Sequence, residues 1–178
     1  MKKSFLSCAV LSAALASGAV QADQHFSVDS LVESGYAQLH LGTADLGLDD
    51  NATVLTGVVG SNLDNVREGL AVEADLTMTL MDAESEFFGT SFEASYTKLG
   101  GYAVYNYPLV DVTEGLSIFG RGGLAYTSLD IESASDSSID LAFGLGAKYE
   151  IRDQIKLTGQ YDTYESIDVF SIGAEYSF

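Results

Sequence analysis

The chain offers few side chains capable of covalent chemistry. Against 26 aspartates and glutamates stand eight lysines and arginines, two histidines (His25 and His40) and one cysteine (Cys8). Hydrolytic chemistry needs a nucleophile beside a base that a third group orients. Neither histidine stands in a serine and acid motif. His25 lies in a polar N-terminal stretch, and His40 lies in an alternating segment where it reads as a polar filler. No catalytic residue is assigned, and the chain is not expected to be an enzyme. The carboxylates suggest divalent cations, but "DLGLDDN" lacks the ligand spacing of a dedicated calcium loop. Glycine pairs such as Gly100-Gly101 and Gly122-Gly123 sit in strand-like runs and open no helix, so they make no phosphate loop. No metal or cofactor site follows.

The first residues differ from the rest. Lys2 and Lys3, an apolar run from Phe5 to Ala16 and small residues ending Val20-Gln21-Ala22 describe a secretory signal peptide over 1–22. The run is too short for a membrane-spanning helix. Cys8 falls within it, so the exported part, 23–178, carries no thiol and no disulfide. Loss of Lys2 and Lys3 leaves a charge of 6 − 26 = −20. That excess of negative charge excludes nucleic acid as a partner.

The exported part reads as one domain dominated by period-2 alternation. Leu70, Val72, Ala74, Leu76, Met78 and Leu80 share one face, with Glu73, Asp75, Thr77 and Thr79 on the other. The pattern recurs in Ile139-Leu141-Phe143-Leu145-Ala147-Tyr149-Ile151 and in the closing stretch, Phe170 to Phe178. Breaks in the alternation predict about eight strands, near 34–44, 52–61, 69–80, 90–107, 115–129, 138–151, 154–164 and 167–178. "DIESASDSS" reads as a polar loop between the fifth and sixth of them. Parity alone does not say whether the apolar face points into a soluble barrel or out into lipid.

Aromatic placement favours lipid. With strands running alternately up and down, Tyr36, Tyr105, Tyr107, Tyr149, Tyr176 and Phe178 fall near the inner rim. Phe92, Tyr96, Tyr126, Tyr161, Tyr164 and Phe170 fall near the outer rim. Two such belts suit the headgroup levels of a bilayer. From Phe170 to Phe178 the tilted strand spans about 20 Å, close to the apolar band of about 25 Å. Parity then places His40, Glu73, Asp75, Glu93, Arg121, Asp140, Lys148, Glu150, Lys156, Asp162 and Glu175 in the lumen. An eight-stranded barrel is just wide enough for its own side chains, so these charges should pair and plug it. Lys98 counts onto the lipid face unless a bulge near Gly100-Gly101 resets the phase. The connectors expected outside the cell carry Asp45, Asp49, Asp50, Asp82, Glu84, Glu86, Asp130, Glu132, Asp136 and Glu165 and no lysine or arginine.

The signal peptide, the amphipathic strands, the stretch "YNYPLVDVTEGLSIFGRGGLAYTSLD" and the terminal "IGAEYSF" resemble the small outer-membrane β-barrel proteins of Gram-negative bacteria, the OmpA/OmpX-type group. The resemblance implies an all-β fold, an antiparallel up-and-down transmembrane β-barrel of about eight strands, located in the outer membrane. It also implies an assembly signal in Phe170, Ile172, Tyr176 and Phe178, read by the outer-membrane insertion machinery. Expected partners are outer-membrane lipid and lipopolysaccharide, with divalent cations at the acidic outer loops. The expected role is structural or surface-interacting, in envelope integrity or adhesion. A narrow porin-like channel is the alternative, and a soluble periplasmic ligand-binding barrel the third reading.

Overall fold

The computed structural model describes residues 34–47, 50–87, 90–131, 134–164 and 166–178, and within 84–94 and 130–136 it describes backbone alone. The expected signal peptide and His25 lie outside the described residues, as do Asp49, Glu132 and Glu165. The side chains of Glu84, Glu86, Phe92, Glu93, Asp130 and Asp136 do too.

Among the described residues there are nine strands: β1 (Gly35–Asp45), β2 (Ala52–Asn62), β3 (Leu70–Met81), β4 (Ala83–Phe87), β5 (Thr90–Pro108), β6 (Leu116–Ile131), β7 (Ala134–Arg152), β8 (Ile155–Tyr164) and β9 (Ile167–Ser177). Each pairs antiparallel with its neighbours, β1 pairs with β9, and the β3 to β5 pairing closes the ring. Because β3 and β4 both pair with β5, they are two parts of one strand, and the barrel has eight. Closure matters physically, since it leaves no open edge at membrane depth and every backbone N–H and C=O there finds a partner in the ladder.

The break between β3 and β4 is a local accommodation. Met78 faces Thr97 and Ala83 faces Ala94, so four residues oppose two. The Thr79 hydroxyl fills the gap in the ladder: it donates to the Tyr96 carbonyl at 3.1 Å and accepts the Tyr96 N–H at 2.9 Å. The alternating sequence up to Leu80 continues past Asp82 as strand, where a connector was expected.

The sixth and seventh strands also run further than the alternation suggested. The β6 to β7 ladder continues through Asp130↔Ser135 to Ile131↔Ala134, so most of "DIESASDSS" is hairpin. Polar residues on both faces of a projecting hairpin erase the apolar period, while the backbone ladder carries on without it. At 16 and 19 residues, β6 and β7 outreach β8, whose pairing with β7 begins at Ala142.

The opposite end carries tight turns, two of which are copies. Leu63-Asp64-Asn65-Val66-Arg67-Glu68-Gly69-Leu70 and Leu109-Val110-Asp111-Val112-Thr113-Glu114-Gly115-Leu116 share spacing and hydrogen bonding. In each, the first leucine's N–H donates to the last leucine's carbonyl, and the valine and the following residue both donate to the first leucine's carbonyl. Gly69 and Gly115 both have φ of 81°, a left-handed conformation that disfavours any side chain.

The two faces of the wall are inverted relative to a soluble protein. Leu39, Leu41, Leu99, Leu124, Leu141, Phe143, Leu145, Leu157, Phe170 and Ile172 point outward and are exposed. Glu73, Asp75, Lys98, Arg121, Lys148 and Glu175 point inward and are buried. Such a surface is stable only in an apolar solvent.

Depth in that solvent is testable by comparing two exposed apolar residues. Leu39 lies mid-strand at 60% exposure and Val110 lies in a turn at 69%. In vesicle unfolding titrations, Leu39→Arg should cost about 2–4 kcal/mol and Val110→Arg about 0–1 kcal/mol.

Candidate functional site

Inward residues from all around the barrel converge in the lumen, and period 2 explains which ones. On β3 the inward set is Ala71, Glu73, Asp75 and Thr77, and on β5 it is Tyr96, Lys98, Gly100, Tyr102 and Val104. Lys98 is therefore inside, at 2% exposure. No bulge at Gly100-Gly101 is needed, because β5 pairs without a register shift along both neighbours. The expectation that Lys98 and Tyr96 face lipid fails in phase only: Thr97, Leu99, Ala103 and Tyr105 are the outward set.

The charges form one connected network. Arg121 lies at its centre, with Nε and Nη2 each 2.7 Å from the two carboxylate oxygens of Asp162. Its Nη1 reaches Glu73 at 3.3 Å and its Nη2 reaches Asp75 at 3.2 Å. Asp75 continues to Lys98 at 2.9 Å. Glu73 lies 3.9 Å from Lys148, which bonds Glu175 at 2.8 Å, and Glu175 bonds Lys156 at 3.0 Å. Four carboxylates thus meet four cations, so this network is balanced in charge.

Neutral groups complete the set. Tyr36 donates its hydroxyl to Glu73 at 2.8 Å, and Gln38 Nε2 donates to Glu73 and Glu175. His40 Nε2 lies 2.7 Å from Gln38 Oε1 and 3.3 Å from the Thr158 hydroxyl. The cations also lie over rings: Arg121 at 4.2 Å from the Tyr102 centroid, Lys98 at 4.8 Å from Tyr164, and Lys148 at 4.9 Å from Tyr36 and 5.0 Å from Phe119. These contacts supply part of the solvation that burial removes.

Glycine makes the crowding possible. A Cβ at Gly144 would collide with the Asp162 carboxylate and touch Arg121, and one at Gly100 would stand 2.5 Å from Asp75 Oδ1 and the Tyr102 ring. The central ion pairs exist because two strands surrender side-chain volume there.

Toward the long hairpins the network is covered by apolar groups. Ala44, Val54, Ala125, Ala142 and Val169 are buried there, and the Tyr96 and Tyr164 hydroxyls bond each other at 2.9 Å. Beyond them, a cavity of about 130 Å³ opens among Leu46, Thr127, Leu129, Ser166 and Ile167. Ser138 donates to the half-buried Asp140 at this mouth.

Two expectations need correction. Glu150 has inward parity but is exposed at the end of β7, below the last inward layer, where its backbone N–H bonds Gly115. Tyr36, Tyr96 and Tyr164 do not belong to the rim belts: each is buried to within 2% and turned into the lumen. Tyr36 shares parity with His40, and Tyr164 with Asp162, so the period already pointed inward. A phenol hydroxyl has hydrogen-bonding work in a polar lumen that a phenylalanine lacks. The belt retains Tyr105, Tyr107, Tyr149, Tyr176 and Phe178 at one end and Tyr126, Tyr161 and Phe170 at the other, all exposed. Of the expected assembly residues, Phe170, Ile172, Tyr176 and Phe178 all project outward.

A closed barrel with a lipid-like exterior and a charge-filled interior defines a class of membrane protein. Residues 6–178 match the outer membrane protein beta-barrel domain family, and the chain belongs to that family, as an integral protein of the outer membrane. The fold is similar to that of neisserial surface protein A (NspA), with 15% identity, a TM-score of 0.56, and coverage of 81% of this chain and 96% of that one. It is similar to the N-terminal β-barrel domain of Pseudomonas aeruginosa OprF, with 15% identity, a TM-score of 0.55, and coverage of 80% and 97%. It is similar also to Ail, the attachment invasion locus protein of Yersinia pestis, with 17% identity, a TM-score of 0.52, and coverage of 82% and 99%. No curated protein matches the chain in sequence. In such barrels the short turns mark the periplasmic end and the longer hairpins face outward.

Arg121 touches three of the four carboxylates, and its loss would leave Asp162 buried without a cation and take one of two from Glu73 and Asp75. Arg121→Met should cost about 3–5 kcal/mol in vesicle unfolding. Lys156→Met, at a partly exposed rim position with one partner, should cost clearly less.

Proposed function

We propose that this protein acts as a closed wall element of the outer membrane, serving envelope integrity or surface interaction, and neither conducts ions nor catalyses a reaction. The observation that carries this reading is the balanced eight-charge network across the lumen, covered by the Tyr96 and Tyr164 pair. An ion crossing the barrel would have to displace several charge-assisted bonds at once.

The surface part of the proposal rests on charge. Asp45, Asp50 and Asp82 are exposed at the outward end, and no lysine or arginine accompanies them among the described residues there. Such a rim suits divalent cations shared with lipopolysaccharide phosphates. The outward row Phe170, Ile172, Tyr176 and Phe178 on β9 suits recognition by the insertion machinery. Export through a signal peptide over 1–22 belongs to the same reading.

Planar-bilayer recording tests it directly. The purified protein, showing the faster unboiled band of a folded barrel on SDS gels, should give no discrete conductance steps. Regular steps that vanish in Arg121→Met would establish a channel in its place.

A further inference from the structure

Of the six basic residues beyond position 22, four are consumed in the lumen, which leaves Arg67 and Arg152. Both are exposed, and both lie at the short-turn end. Arg67 is held there in a defined way. Its backbone N–H bonds the Leu63 carbonyl at 3.0 Å, its carbonyl accepts from Leu70 at 3.0 Å, and Gly69 reverses the chain. The guanidinium carbon then stands 5.3 Å from the centroid of Tyr105. Tyr105 is an outward belt residue at 42% exposure, so Arg67 lies over the lipid face of β5 and away from the lumen.

The surroundings leave that cation available. Asp64, in the same turn, spends Oδ1 on the Gly69 N–H. Glu68 is exposed, and Arg67 makes no ion pair among the described residues. On β3 Tyr105 faces Leu70, but on β6 it faces Gly120, where a Cβ would meet nothing within 4 Å. Open surface therefore lies beside the stacked pair at the level where belt aromatics meet headgroups. A guanidinium with free donors at that depth matches a phosphodiester bidentately.

We propose that Arg67, stacked on Tyr105, is a binding site for the headgroup phosphate of an anionic glycerophospholipid in the periplasmic leaflet. The proposal rests on the membrane placement given above and adds a leaflet, a lipid class and a residue to it. The repeated turn supplies a control within the molecule. Thr113 occupies the position of Arg67 in the copy, and exposed Tyr149 stands before Glu150 as Tyr105 stands before Asn106. The second turn thus has the same backbone and an aromatic of its own, but no cation.

This duplication gives a substitution that the turn is known to accept. Native mass spectrometry of the full-length folded barrel, with phosphatidylglycerol added to the micelles, should show a bound lipid. Arg67→Thr should reduce that occupancy by about fivefold, the effect of one basic side chain at an anionic surface. The double variant Arg67→Thr, Thr113→Arg should regain it, and Arg152→Gln should leave it unchanged. Soluble glycerol phosphate should not compete, since it lacks the acyl chains that hold the headgroup at this level. Equal binding of phosphatidylcholine, full occupancy in Arg67→Thr or no recovery in the double variant would each overturn the site. Heat-modifiability of each variant on SDS gels reports separately on the barrel, so a failure of the membrane placement would be distinguished from a failure of the site.

Discussion

The bidentate pairing of Arg121 with Asp162 organises the interior of this barrel. A guanidinium held away from water is tolerable only when its donors are met, and here carboxylates from β3 and β8 meet them. From that centre the ion pairs extend to β5, β7 and β9, so residues distant in sequence are held by one electrostatic requirement. Gly100 and Gly144 are part of the same requirement, because side chains there would push the charges apart.

The network also explains how an acidic chain tolerates a charged lumen. Among the described residues, acids outside the network such as Asp45, Asp50, Asp64, Glu68 and Asp82 are exposed, where water screens them. Inside, four acids and four bases cancel, and tyrosine rings lie against three of the cations. The wall has the opposite composition on its outer face, and closure of the ladder lets that face meet hydrocarbon without unpaired backbone groups.

Function in such a molecule divides along the barrel axis. The interior holds the ion-pair network, the exposed Asp45, Asp50 and Asp82 lie at the end of the long hairpins, and the short turns place two exposed arginines at the other end. Family membership and fold establish the outer-membrane barrel. The particular role rests on side chains at the two ends, where the shared fold does not dictate chemistry.

Much of this was legible in the alternation. A period of 2 in Leu70 to Leu80 or Ile139 to Ile151 is a local property of extended backbone, so strands, strand number and the shared face of Glu73, Asp75, Arg121, Lys148 and Glu175 could be read directly. The hairpin at 130–138 could not, because polar residues on both faces carry no period while the ladder still forms. The repeated turn was visible as spacing, Leu-x-x-Val-x-Glu-Gly-Leu, but its identity as one structure lies in hydrogen bonds. Only closure of the ring decided the rest. It fixed the phase of Lys98 and Tyr96 on β5, left Glu150 below the last layer, and brought Lys98 within reach of Asp75. Alternation determines which residues share a face, whereas the partner of a buried charge depends on strands that meet across the lumen.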